Sequence, residues 1–301
     1  MLDITVLAGG PSDEREVSLA SGHAVYDALC RLGHRVELRD IGPENLSALD
    51  RPADFVFVAL HGEFGEDGTV QTELERRHLP YSGTRAEASR VAMNKVASKR
   101  RFESAGVSTP PYEIVERDNL ATLASRFGVP AVAKPISSGS SVDTWIVRTP
   151  ADLTDAASRV VDKYGSALVE RYIAGPELTV GILGTEALPV CEIRTKREFY
   201  DYDAKYVDDD TQYLLDPDLP PELIDRVRSM SLIAHEALGC RVFSRVDWMV
   251  DANDQEPYVL EVNTIPGFTS HSLLPKAAAR VGLDFDQLCQ RIVELSMLLD
   301  A

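Results

Sequence analysis

The opening of the chain alternates short apolar runs with amphipathic helical patterns, and that alternation restricts it to a doubly wound α/β unit. Residues 4–8 form an apolar run that ends in Gly9-Gly10, as a buried parallel strand does on reaching a turn. A polar loop, Pro11-Ser-Asp-Glu-Arg-Glu, leads into a helical pattern over residues 17–32, with Leu19, Val25, Ala28, Leu29 and Leu32 on one face and Gly33 as its stop. Residues 36–38 and 55–60 read as two more strands, and residues 69–77 as a second amphipathic helix.

A helix expected over residues 87–104 leads to Thr109-Pro110-Pro111, a stiff break. Beyond it, strands at residues 112–115, 131–134, 144–147 and 167–170 interleave with two helices, the second entered through Thr149-Pro150, where proline suits the first turn. From Glu177 onward strands dominate, at residues 178–183, 187–193, 243–250 and 258–262. A polar stretch, residues 196–220, separates them without periodicity, and loops this long inside compact domains usually serve a function. A helix over residues 221–238 and two C-terminal helices complete the pattern.

The 301 residues are 44% hydrophobic and carry a formal net charge of −17, enough apolar material for a large core and the wrong sign for a phosphate-backbone or anionic-membrane binder. No apolar run approaches the ~18 residues that span a bilayer. Cys30, Cys191, Cys240 and Cys289 are scattered with neither Cys-x-x-Cys nor zinc-type histidine spacing, which fits reduced thiols and a cytoplasmic setting.

The chemistry concentrates near the C-terminus. Ser244-Arg-Val-Asp-Trp-Met-Val and Tyr258-Val-Leu-Glu-Val-Asn-Thr-Ile-Pro-Gly-Phe-Thr-Ser read as adjacent antiparallel strands. Strand alternation puts Glu261 and Asn263 on one face, and Arg245 on the same face as Asp247. Two carboxylates and an amide oxygen make an all-oxygen set suited to Mg²⁺ shared with phosphates, and unpaired polar groups in so apolar a strand would be costly. Arg245 adds a fixed cation where phosphate charge develops. Lys134-Pro-Ile-Ser-Ser-Gly-Ser-Ser reads either as a phosphate-cradling loop or as an ordinary turn. Lys95 alone reads as a solvated helical charge. Glu14, at the carboxyl end of the first strand, could hold a substrate ammonium, but taken singly it reads as an ordinary charged turn. His61, after the third strand, is either a packing histidine or a substrate contact. The Gly9-Gly10 loop lacks the third glycine of a dinucleotide fingerprint, and no Gly-x-Ser-x-Gly elbow is present.

Taken together, the chain resembles the D-alanine–D-alanine ligases of the ATP-grasp superfamily along nearly its whole length. The resemblance rests on seven segments in register: Gly9-Gly10-x-Ser-x-Glu-Arg-Glu-Val-Ser, Leu60-His-Gly-x-x-Gly-Glu-Asp-Gly, Lys134-Pro-x-x-x-Gly-Ser-Ser-Val, Gly175-Pro-Glu-x-Thr-Val, Phe199-Tyr-Asp-Tyr-x-Ala-Lys-Tyr, Ser244-Arg-x-Asp and Glu261-Val-Asn-Thr-x-Pro-Gly-x-Thr-x-His-Ser. It implies three domains: 1–88 as an N-terminal α/β substrate domain, 89–174 as the central ATP-grasp domain, and 175–301 as the C-terminal ATP-grasp domain with a lid at 196–220. It further implies ATP held by Lys95, Lys134, Glu170, Arg171, Ile173, Glu177, Phe199 and Lys205, and two Mg²⁺ or Mn²⁺ ions on Asp247, Glu261 and Asn263. Glu14 resembles the partner of the first D-alanine's ammonium, in a hydrogen-bonded set with Ser140 and Tyr206. Arg245 and the Gly267 N–H resemble an oxyanion hole, and Ser272 with Lys205 the grip on the second D-alanine's carboxylate, with His61 among the substrate contacts.

The activity so implied joins two D-alanines through an acyl phosphate for peptidoglycan precursor synthesis, in a cytoplasmic homodimer that binds neither nucleic acid nor membrane. Tyr206 favours D-alanine over D-lactate or D-serine as second substrate. The chain departs from the family at Asp143, where the loop usually ends in glycine; the aspartate brings a negative charge near the expected phosphate grip and a more restricted backbone.

Overall fold

The structure, a computed structural model, describes residues 1–139, 142–195, 211–269 and 272–300. Its first sheet is parallel, with β1 (Asp3–Gly9) between β2 (Arg35–Ile41) and β3 (Phe55–Val58). All four residues of β3 are buried, as expected of a strand covered on both faces. The helix Arg15–Arg31 lies on one face, and Gly22 lets it approach closely: a Cβ there would stand 2.4 Å from that of Ala8. Val70 and Leu74 of the helix Thr69–Arg76 cover the other face, against Leu7, Val56 and Val58. The C-terminal helix Phe285–Asp300 packs beside Arg15–Arg31, so Leu288, Ile292 and Val293 share one core with Ile4, Val6 and Phe55.

The single helix expected over residues 87–104 is two, Ala86–Met93 and Lys95–Ser104. Asn94 divides them with an extended backbone, φ −90° and ψ 101°, and its side-chain oxygen accepts from Ala97 N–H, capping the second helix. The second sheet is antiparallel, β4 (Tyr112–Val115), β5 (Ala131–Lys134), β6 (Trp145–Val147) and β7 (Ala167–Arg171), in the order β4-β7-β5-β6. The helix Pro150–Tyr164 packs Leu153, Ala157, Val160 and Val161 onto it, with Pro150 in its first turn as expected and Thr149 as its N-cap.

The third sheet contains β8 (Glu177–Leu183), β9 (Glu186–Ala187), β10 (Cys191–Arg194), β11 (Gln212–Leu214), β12 (Phe243–Val250) and β13 (Pro257–Asn263). Its order is β11-β10-β8-β12-β13, with β9 against β8. The strand expected over residues 187–193 is split into β9 and β10: Pro189 has no N–H for a ladder, and Leu188 N–H turns back to Gly181 O at 2.8 Å. The helix Pro221–Ala237 covers the sheet with Leu223, Val227 and Ala234, and Trp248 is fully buried with its indole N–H on Ser231 Oγ at 2.9 Å. Cys30 is exposed and the other three thiols buried, all free.

Candidate active site

A cleft of about 500 Å³ opens between the second and third sheets. Lys95, Lys134, Glu170, Arg171, Ile173, Glu177, Asp247 and Glu261, all expected in the site, line it.

The row of oxygen ligands is set by strand register. Asp247 on β12 faces Glu261 on β13, and Arg245 faces Asn263, so alternation puts all four side chains on one face of the pair. A bulge after Asp247 lets Trp248 pair with Val259, leaving Leu260 extra beside Glu261; bulges of this kind re-aim side chains near functional sites. On the other flank Thr179 of β8 opposes Asp247 and donates its hydroxyl to Oδ1 at 2.6 Å. Arg245 grips the same carboxylate with two bonds, Nε to Oδ1 at 2.9 Å and Nη2 to Oδ2 at 2.7 Å. Asn263 Oδ1 accepts from Ile265 N–H at 3.0 Å and keeps a second lone pair. Among the described residues no three His, Cys, Asp or Glu side chains come together. A hard cation here would therefore draw on Asp247, Glu261, the Asn263 amide and substrate phosphate oxygens, a donor set that fits Mg²⁺ or Mn²⁺.

Across the cleft, Glu170 is 3% exposed between two ammonium groups. Lys134 Nζ bonds Oε1, and Lys99 Nζ stands 2.8 Å from Oε2 as an ion pair. Burial alone would raise the Glu170 carboxyl, but the adjacent Lys134 and Lys99 outweigh it and hold the group at about 2. Burial lowers the pKa of Lys99, only partly opposed by Glu170, and its ammonium also donates to Thr109 Oγ1 at 2.8 Å. Lys95, read from sequence as a solvated charge, is instead 8% exposed. Its Nζ donates to Ser138 O at 2.5 Å and lies 3.9 Å from Glu261 Oε2, joining the loop after β5 to the carboxylate row.

The loop after β1 reaches the same region. Gly62 and Gly139 leave room for Glu14: a Cβ on either would stand 3.1 and 3.2 Å from its Oε2. His61 is buried, with Nδ1 on Ile265 O at 3.0 Å and Nε2 on Ser21 Oγ at 3.1 Å, so both ring nitrogens are engaged inside the protein. Glu66 lies 3.7 Å from His61, and burial raises its carboxyl against the opposing pull of the histidine. Gly267 and Ser272 are neighbours, since a Cβ on the glycine would sit 2.8 Å from the serine Oγ. That hydroxyl also accepts from Thr269 N–H at 3.0 Å.

Asp143 takes φ 53°, the left-handed conformation its usual glycine would favour. Its carboxylate turns towards the helix Pro150–Tyr164, accepting from Lys163 Nζ at 2.6 Å and Tyr164 OH at 2.5 Å. The negative charge is thus paired at the far side of the loop. Ser140, Phe199, Lys205 and Tyr206, with residues 196–210 of the expected lid, lie outside the described residues.

Lys99 and Glu192 escaped the sequence reading, and Thr179, although within the Gly175-Pro-Glu-x-Thr-Val segment, was given no role there. Lys99 recurs one helical turn after Lys95, a spacing that marks the two as one face once either is placed. Thr179 and Glu192 (buried, and bonded to Arg194 at 2.7 and 2.9 Å) carried no such signal.

Residues 33–84 match the family described as D-ala D-ala ligase N-terminus, and residues 102–294 the D-ala D-ala ligase C-terminus. A D-alanine–D-alanine ligase of Moorella thermoacetica is 42% identical, over 98% of this chain and 99% of its own length. Among solved structures, D-alanine–D-alanine ligase from Bacillus anthracis complexed with ATP superposes with a TM-score of 0.84 at 35% identity, covering 100% of this chain and 99% of that one. The VanG D-Ala:D-Ser ligase from Enterococcus faecalis gives 0.86 at 27% identity, with 97% and 98% covered. With both parts matched, and with relatives this similar along their full length, the chain belongs to the D-alanine–D-alanine ligase family.

Proposed function

We propose that the protein joins two D-alanine molecules with ATP, forming D-alanyl-D-alanine, ADP and phosphate, as a step in peptidoglycan precursor synthesis. The observation that carries this reading is the meeting of Asp247, Glu261, Lys95 and Lys134 around one cleft, with Arg245 bonded to the Asp247 carboxylate. That cleft offers fixed cations to a triphosphate and an oxygen row to the metal that accompanies it.

In the proposed reaction the first D-alanine lies with its ammonium on Glu14, in a set with Ser140 and Tyr206, and its carboxylate towards the γ-phosphate. Lys95, Lys134 and Lys205 hold the phosphates, while Glu170, Arg171, Ile173, Glu177 and Phe199 surround the remainder of the nucleotide. Two Mg²⁺ or Mn²⁺ ions on Asp247, Glu261 and Asn263 would offset the repulsion between carboxylate and triphosphate. The carboxylate takes the γ-phosphoryl group, ADP is released from the bond, and an acyl phosphate results. Ser272 and Lys205 hold the second D-alanine by its carboxylate, with His61 set close by. Its amine, having lost a proton, attacks the acyl carbon, and Arg245 with the Gly267 N–H receives the oxyanion. Phosphate then departs, leaving the peptide bond. Closure of residues 196–220 keeps water from the acyl phosphate.

The same proposal places three domains at 1–88, 89–174 and 175–301, and a homodimer in the cytoplasm, checked by sedimentation and by fractionation. Among the described residues no helix is long and apolar enough to cross a membrane. The deciding assay follows ADP and dipeptide with D-alanine alone, then with D-lactate, D-serine or L-alanine as acceptor. D-alanine-dependent ADP with matching dipeptide is expected, and ATP binding without turnover would overturn the reading. A preference for D-serine would move the chain towards the activity named for VanG. Glu261→Gln should lower kcat at least ~100-fold while leaving the melting temperature nearly unchanged, because it removes one charge from the oxygen row. Near-normal turnover at ordinary Mg²⁺ would remove Glu261 from the metal set.

A further inference from the structure

Ser21 lies on the helix Arg15–Arg31, fully buried and not among the residues that line the cleft, yet it touches the segment that carries Gly267. Its Oγ accepts from Phe268 N–H at 3.1 Å and meets His61 Nε2 at 3.1 Å. The other ring nitrogen, Nδ1, meets Ile265 O at 3.0 Å. A carbonyl can only accept, so Nδ1 carries a proton; in the tautomer that leaves Nε2 as acceptor, Nε2 takes the Ser21 hydroxyl hydrogen. The bonds then run in one direction: Phe268 N–H to Ser21, Ser21 O–H to His61, His61 N–H to Ile265. Donor and acceptor are matched at each of the three positions.

The two ends of this relay fall on either side of Gly267. Asn263 holds Ile265 N–H, His61 holds Ile265 O, and Ser21 holds Phe268 N–H. The Phe268 ring is itself wedged edge-on against Phe57 and Phe243, with centroids 5.5 and 5.3 Å apart. The residues flanking Gly267 are therefore held from both directions, by His61, Ser21 and Phe57 of the first α/β unit and by Asn263 and Phe243 of the third sheet. A backbone donor works on a developing oxyanion only when it is aimed before the charge appears, and losing one donor costs about 100- to 1000-fold in turnover.

We propose that Ser21 is a positioning residue, which with His61 aims the Gly267 N–H at the oxyanion of the amine-attack step. This goes beyond a substrate contact at His61 and rests on the ligase reading given above. Ser21→Ala removes the acceptor of Phe268 N–H and the donor to His61 while leaving a good helix former in place. The reaction is then split in two. Acyl phosphate is trapped with hydroxylamine as the hydroxamate in a single turnover, and dipeptide is followed separately in its absence.

The variant should form dipeptide roughly tenfold more slowly, a partial loss of one donor's effect. Hydroxamate formation and the KM for ATP should stay within about twofold, and Ser21→Thr, which keeps the hydroxyl, should recover most of the dipeptide rate. Melting of both variants, measured alongside, separates a loss of folded protein from a loss of aim. Equal slowing of both half-reactions, or of neither, overturns the positioning role. Absence of D-alanine-dependent ADP from the unaltered protein overturns instead the ligase reading on which it stands.

Discussion

Replacing Lys99 by methionine tests how the nucleotide side of the cleft is held. Lys99 and Glu170 are 0% and 3% exposed, so their pairing is hardly screened by solvent. The fall of the Glu170 carboxyl from its ordinary 4.5 to about 2 corresponds to ~3 kcal/mol of stability at neutral pH. Lys99 gives part of this back, because burial lowers its own pKa and its charge is costly to bury. Lys134 still faces Glu170 in the variant. Between these limits, Lys99→Met should cost ~2 kcal/mol, less than the ~3–5 kcal/mol of a carboxylate left wholly uncompensated. The melting temperature should fall by roughly 4 °C. The sign of the pH dependence follows from the depressed carboxyl: its stabilisation is complete above 4.5 and is lost as pH falls towards 2. The gap between parent and variant should thus be full at pH 7 and narrow between pH 5 and pH 3, read by urea melts at each pH. The KM for ATP should rise severalfold, since Lys134 and Glu170 line the cleft together. A variant as stable as its parent at pH 7, or a gap indifferent to pH, would refute the assignment of Lys99 as a counter-ion.

Three further substitutions probe other parts of the site. Gly267→Ala would drive a Cβ to within 2.8 Å of Ser272 Oγ, and dipeptide formation should fall at least tenfold with little change in melting temperature. Asn94→Ala removes the cap that separates two helices and should cost ~1 kcal/mol while raising the KM for ATP, because Lys95 begins the capped helix; calorimetry and steady-state kinetics check both. Asp143→Gly exchanges exposed bonds to Lys163 and Tyr164 for a residue at ease with φ 53°, so melting temperature should stay within ~2 °C and the KM for ATP within about twofold.

The carboxylate row was legible because strand periodicity is strict: residues two apart share a face, and only the pairing of β12 with β13 remained to be supplied. The bulge that offsets Trp248 from Glu261 has no such signature, since it depends on how two strands meet. Helix patterns located Arg15–Arg31 and Pro150–Tyr164, but the division at Asn94 was hidden because flanking residues are good helix formers and a single asparagine is tolerated within a helix. Lys95, which the resemblance put at the nucleotide, reads as solvated when taken alone, for a related reason. Sequence shows a lysine on a helix, whereas its burial follows from a loop and a sheet that arrive from forty and more than a hundred residues away. The Lys99–Glu170 pair and the Ser21–His61 relay likewise join distant segments, and no local pattern announces either.

The shared core of β1, β3 and the helix Phe285–Asp300 has a consequence for how the polypeptide is made. Synthesis delivers Ile4, Val6 and Phe55 first, but Leu288, Ile292 and Val293, which shield them, emerge only at the end. Until then the face of the parallel sheet that Arg15–Arg31 covers is closed only in part, and its core is completed some two hundred and thirty residues later, at about 5–20 residues per second ten seconds or more on the ribosome. Removing the helix from Leu288 onward should therefore make residues 3–9 and 55–58 more open to protease, although they lie far away in sequence.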